Sequence, residues 1–392
     1  MMTLECECII CQSKKGPKPR FCPDSCGKLK SLSHLAISCF VNYHNCILHI
    51  EQLANVAEGF TAAMKAHLLN YLWAHALYMQ VFELVTSRSF FESLFSSEWY
   101  KMLELHAMNT ELDEMGRGLT FQTLNQLCLS ELQDGLVNRK FSKFMSYLPI
   151  PLNYSFFLID GGYYIEALEI IDQLITNTEC FMAEKEDRKT CLTDVYVVIL
   201  TAKFKCHNTL YDLKEGGEIY LLKLDLIKRT CLEKGPEFGN LAAAYFVECS
   251  RYCFIKGDVH ASHEHAMQAL QLVDRSIDHT HHPRIIIDVL RQATLTFLEL
   301  GLPGRAEISI ETALTLCKNI VDKADAKRCL KCYDLSDSLL FLDCMVDYGY
   351  FLQNTDQLYK AHQVIREAKK VSSFFEIMSC LSCTYIVFYS RV

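Results

Sequence analysis

Little in this chain would break a helix: it has 8 prolines and 16 glycines in 392 residues, so long stretches run without punctuation. No apolar run reaches the roughly 18 to 20 residues that a bilayer span requires. The closest, FFEIMSCLSCTYIVFYSRV, is interrupted by Glu376 and several polar residues, and a soluble protein is expected. The start, MMTLECECIICQ, has no basic stretch followed by an apolar run, so no secretory signal is expected. Basic charge is in deficit, 39 Lys and Arg against 47 Asp and Glu for a net charge of -8. That gives no global attraction to nucleic acid or to anionic membranes. The patterns G-x-x-x-x-G-K-[ST], G-x-S-x-G and H-E-x-x-H do not occur, so an enzyme reading has no catalytic residues to stand on and no cofactor is expected.

What the chain does have is apolar material in helical register. Half of its residues are apolar, and runs such as AAMKAHLLNYLWAHALYMQVFELV keep a helical period over many turns. The fold class is therefore all-α. Alternating patterns are short and isolated; one of them, TDVYVVILTA, reads equally as a buried helix. Twenty cysteines are scattered along these apolar stretches. In a chain of this size they read as reduced cytosolic thiols packed as small hydrophobes rather than as a disulfide framework.

Four segments are variants of one pattern: GYYIEALEIIDQLI from Gly162, GDVHASHEHAMQAL from Gly257, GLPGRAEISIETAL from Gly301 and DQLYKAHQVIREAK from Asp356. Each opens with Gly or Asp. Five positions on stands a small residue (Ala167, Ser262, Ala306, Ala361), and seven beyond that come Leu174, Ala269, Ala313 and Ala368. Small residues let two antiparallel helices touch, and the glycine makes the tight turn between them. DYGYFLQN supplies a further close-approach glycine, Gly349. The copies lie 95, 44 and 55 residues apart, which leaves room for an unmarked hairpin near LYDLKEGGEIYLLKLDLIKR. This is the signature of a tetratricopeptide-like solenoid, although its period exceeds the usual 34 or so. Stacked hairpins bury their faces against one another and expose an extended binding surface. The organisation expected is a cysteine-rich leader over 1–28, a helical region over 29–150, repeats over 151–370 and an atypical apolar tail over 371–392.

Several residues carry candidate chemistry. Cys6, Cys8, Cys11, Cys22 and Cys26 can supply thiolates for a tetrahedral zinc ion, or stand as loose thiols in a floppy leader. Cys329 with Cys332, and Cys380 with Cys383, form C-x-x-C pairs without a redox-domain context. His279, His281 and His282 crowd DHTHHPR, and His260, His263 and His265 lie in DVHASHEH, where loop and helix-surface roles compete with metal binding. On IIIDVLRQATLTFLEL, Asp288 and Arg291 share a face. Arg291 offers a donor fork to a carboxylate such as a peptide C-terminus and Asp288 an acceptor for a basic side chain, or the two form an inter-repeat salt bridge. Finally, SLSHLAISCFV places Leu32, Ala36 and Phe40 on one helical stripe beside Ser31, either as a first core helix or as a peptide offered to a partner.

RIIIDVLRQATLTFLELGLPGRAEISIETAL, DYGYFLQNTDQLYKAHQVI, NYSFFLIDGGYYIEALEII and SLSHLAISCFV together resemble the amyloid protein-binding protein 2 family of tetratricopeptide proteins, relatives of kinesin light chains. The resemblance covers most of residues 29–370 and is thin between about 50 and 150. It implies a substrate receptor of cullin-2-type RING ubiquitin ligases, docked on elongin B and elongin C through an N-terminal box. Ser31, Leu32, Ala36 and Phe40 fill the box, with Leu32 entering elongin C. The repeats would hold protein tails, with Asp288 and Arg291 as substrate contacts. Roles in trafficking of amyloid precursor protein-like tails and in microtubule association follow from the same resemblance, as does a cytoplasmic location with nuclear, microtubule or membrane-associated pools. The alternative is a scaffold linking a membrane-protein cytoplasmic tail to motors. Departures are plain: no Leu-Pro pair follows the box to fix the cullin, FLDCMV is extra before DYGY, and the chain leaves the pattern near Val371, as in a C-terminally shortened member.

Overall fold

The computed structural model describes residues 59–74, 77–97, 119–137, 141–234, 238–275, 283–326 and 335–375, with Leu105, Met108 and Leu112 as single positions. The box residues Ser31, Leu32, Ala36 and Phe40, the leader cysteines, the two C-x-x-C pairs, the histidines of DHTHHPR and the tail from Glu376 lie outside the described residues. Among those described, every regular element is a helix, and no helix is long and apolar enough to cross a membrane. The chain divides into two compact units, 1–100 with 107–127 and 101–106 with 128–392.

In the first unit, α1 (Ala62–Ala74), α2 (Tyr78–Val85) and α3 (Arg88–Phe95) pack against each other pairwise. Leu68, Leu72, Val81, Phe90, Phe91, Leu94 and Phe95 form their shared interior. Lys65 is buried there as well. Its Nζ donates to the Ser89 carbonyl at 3.2 Å and lies 5.0 Å from the centre of the Phe90 ring, which compensates the desolvated ammonium. The unit boundary falls inside α4 (Leu119–Val137) rather than near 150. The reason is packing: Asn177 Nδ2 donates to the Leu132 carbonyl at 2.9 Å, and Phe144 sits 4.9 Å from Phe181, so the segment from 128 belongs with the hairpins.

The second unit continues with α5 (Phe141–Tyr147) and then ten helices: α6 (Pro149–Asp160), α7 (Tyr164–Glu184), α8 (Glu186–Thr209), α9 (Leu213–Lys234), α10 (Gly239–Ile255), α11 (Val259–Arg275), α12 (Pro283–Glu299), α13 (Pro303–Ala326), α14 (Leu335–Asn354) and α15 (Leu358–Phe375). Each packs on the next, and the first members of successive pairs, α6, α8, α10, α12 and α14, also pack side by side. The α6 helix additionally touches α14. Pro149, Pro283 and Pro303 stand at helix starts, where a missing N–H costs nothing.

One local device ends every first helix. Gly162, Tyr211, Gly257, Gly301 and Asp356 all take positive φ, at 84°, 56°, 85°, 69° and 57°. Each N–H bonds three residues back and the following N–H five back, as in Gly257 to Phe254 and Asp258 to Cys253. These are five Schellman turns, which satisfy carbonyls that a helix end would otherwise leave open. Asp258 and Asp212 then accept N–H groups of Ala261 and Glu215 to start the second helices, at 3.0 Å and 3.3 Å. The unmarked hairpin is α8 with α9. Its turn is at Tyr211, and its small residue is Gly216, where an added Cβ would stand 3.5 Å from the Tyr252 ring.

The other small residues do what their spacing implies. Ala167, Ala269, Ala306 and Ala313 are fully buried, Ala361 and Ala368 nearly so, and a Cβ on Gly349 would meet Ile365 at 3.3 Å. TDVYVVILTA lies inside α8, with Tyr196, Val197, Ile199 and Leu200 buried. Burial on more than one side overrides the strand preference of its β-branched residues.

Candidate functional site

The shared face of the first helices carries a charged recess built from side chains that fall at equivalent points before the five turns. Arg251 and Lys205 each stand six residues before their turn residue, Glu248 and Asp347 nine before, and Asp288 and Asp343 thirteen before. Because the first helices pack side by side, equivalent positions become neighbours. Arg251 pairs with Glu248 on its own helix and donates to Asp288 on α12 at 3.1 Å. Arg291 donates to the same Asp288 oxygen at 3.1 Å, to Asp343 at 3.1 Å and, through Nε, to Asp347 at 2.7 Å. Asn208 Nδ2 on α8 reaches the Glu248 carbonyl and carboxylate, both at 3.0 Å. Lys205 lies in the field of Asp160, Asp288 and Glu248.

Asp288 and Arg291 are thus brought together as their spacing expects, and the inter-repeat salt bridge is the arrangement found. Arg291 is 8 % exposed, and its Nε and Nη1 are engaged by carboxylates of the next first helix. The Asp288 side chain keeps 34 % of its exposure and that of Asp343 32 %. Burial pushes the Asp288 carboxyl up, but Arg251, Arg291 and Lys205 outweigh it and leave the group below its ordinary value of 3.8. Asp347 goes the other way: burial raises it, and Arg291 offsets this only in part because Asp343 stands beside it. Burial works against the charge of Lys205, yet the surrounding carboxylates hold its proton more tightly than usual.

Three cations, Lys205, Arg251 and Arg291, face five carboxylates, Asp160, Glu248, Asp288, Asp343 and Asp347. The recess carries an acidic excess, and Gln292, 3 % exposed, keeps an Nε2 without a protein acceptor on the neighbouring face of α12. Five of these partners, Lys205, Glu248, Arg251, Asp343 and Asp347, are not singled out by any motif. Once the structure gives the turns, counting back from each aligns these charges, a register that helical periodicity alone does not show.

Of the remaining described histidines, His263 and His265 make interior contacts and His260 is exposed. His265 is buried, with Nε2 2.9 Å from the Tyr220 hydroxyl and Nδ1 3.2 Å from Gln268 Oε1. Burial lowers its pKa, which keeps the ring neutral. His263 rests 5.3 Å from the Phe297 ring. Among the described residues no three His, Cys, Asp or Glu side chains come together in a way that could hold a metal ion. Cys128, Cys206, Cys249, Cys253, Cys317 and Cys344 are buried, whereas Cys180 and Cys191 are exposed. Burial pushes the Cys206 thiol up to about 12, as suits a small hydrophobe rather than a nucleophile. Comparison with family models found no match to the chain, and comparison with curated proteins found none either.

Proposed function

We propose that the chain is a non-catalytic substrate-recognition adaptor of an elongin B/C cullin-RING ubiquitin ligase. In this reading Ser31, Leu32, Ala36 and Phe40 dock on elongin C, elongin B and a cullin-2-type scaffold complete the ligase, and the hairpins select the tail of a protein substrate. The observation that carries the binding role is the charged network that linked side chains from successive first helices form, with carboxylates in excess and two of them about a third open. Its cations are held against carboxylates rather than beside a nucleophile or general base, which favours recognition over catalysis. Since the Arg291 donors are engaged, substrate contact falls to Asp288, whose carboxylate suits a basic side chain.

Co-expression with elongin B and elongin C tests the proposal, comparing wild type with Leu32→Ala by size-exclusion chromatography. A ternary complex that forms with wild type and is lost in a folded variant is the expected outcome. No complex with folded wild-type protein would sink the adaptor and leave a scaffold that links a membrane-protein tail to motors. In that case Leu32 is a core residue, and the substitution lowers stability by about 2 to 5 kcal/mol.

A further inference from the structure

Two thiols from different helices meet in the interior beneath the recess. Cys317 on α13 and Cys344 on α14 bring their sulfurs to 3.4 Å. They are 2 % and 0 % exposed and share a small apolar cluster with Ile287, Ala313 and Leu340. The pair is separated by 27 residues in sequence, and a disulfide needs a further approach of only about 1.4 Å between the sulfurs. Cys344 also lies between Asp343 and Asp347, the two α14 carboxylates that hold Arg291, and is itself within the electrostatic reach of that arginine.

We propose that Cys317 and Cys344 form a reversible disulfide that clamps α13 to α14 and fixes the α14 carboxylates of the recess. The oxidant class is a peroxide, small enough to enter where a protein thiol cannot. The Cys317 sulfur attacks one peroxide oxygen. The O–O bond breaks, Cys317 becomes a sulfenic acid, and the second oxygen leaves as water with the thiol proton. The Cys344 sulfur then attacks the Cys317 sulfur, the S–O bond breaks, and the departing hydroxide takes the Cys344 proton as a second water. Two thiols are oxidised to one disulfide while one hydrogen peroxide is reduced to two waters. Cys317 is the less enclosed of the two and meets the peroxide first, so the fully buried Cys344 serves as the resolving partner. This inference stands apart from the adaptor reading.

The test uses the full chain, reduced and then exposed to hydrogen peroxide. Free thiols are blocked with N-ethylmaleimide in denaturant, and the protein is digested without reductant and mapped by mass spectrometry. The expected result is a linked peptide pair containing residues 317 and 344, two hydrogens lighter than the separate peptides and released by dithiothreitol. The thermal midpoint of the oxidised chain should exceed that of the reduced chain, and Cys344→Ser and Cys317→Ser should each abolish the linked pair. Recovery of both cysteines as maleimide adducts, or of Cys317 bridged to a different cysteine, would overturn the proposal. The wild-type map decides this even if a variant fails to fold.

Discussion

Arg291 neutralises carboxylates from two helices with one guanidinium, so its loss reaches well beyond its own contacts. Arg291→Ala leaves the buried Asp347 without its guanidinium and beside the Asp343 carboxylate, and should destabilise the second unit by about 3 to 5 kcal/mol. Urea unfolding measures this, and Arg291→Lys, which keeps the charge but not the fork, should lose less. Asp288 and Asp347 differ in sign with pH. Asp288, depressed in the folded state, contributes stability that is present above its ordinary value of 3.8 and is lost as pH falls through the folded value. Asp347, raised in the folded state, favours folding below 3.8 and loses that contribution as pH rises through its raised value. Asp288→Asn should therefore cost about 1 to 2 kcal/mol at neutral pH, discounted for its partial exposure. Asp347→Asn should cost less, and the two curves should converge on acidification; unfolding of both variants from pH 7 to pH 3 is the check.

At the scale of the element, the five Schellman turns predict a pattern of backbone effects. Gly257→Ala forces a Cβ into left-handed backbone, although no neighbouring atom crowds it, and should cost about 1 to 2 kcal/mol. Tyr211→Gly relieves the same strain at the cost of a freer unfolded chain and should be neutral or stabilising by less than about 1 kcal/mol. Thermal unfolding of the two variants in parallel separates these signs. The same turns mark how far the sequence could be read. Gly162, Gly257 and Gly301 stand out because left-handed backbone selects glycine, and the small residues behind them because helix contact selects size. Tyr211 fills the same conformation with a residue that announces nothing, so its hairpin is visible only as a gap in the spacing. Asp288 and Arg291 are legible as a pair because they share a helix. Their partners are not, because Arg251 reaches across 37 residues and Asp347 lies 56 from Arg291, distances that no helical periodicity encodes.

For the whole second unit, the telling contact is α6 against α14, the first and last members of the row that lines the recess. The contact brings the two ends of the row together. A polypeptide approaching the charged side chains past that contact would enter end-first, or wait for α6 and α14 to part. Were that side to stay closed, the arrangement would act as a topological filter, admitting a free chain terminus and refusing the same residues held in a closed loop. If the recess receives a substrate tail, a basic peptide should bind in linear form and lose binding on head-to-tail cyclisation, with a slow on-rate that Asp343 substitutions leave unchanged. Surface plasmon resonance with the matched linear and cyclic peptides measures both.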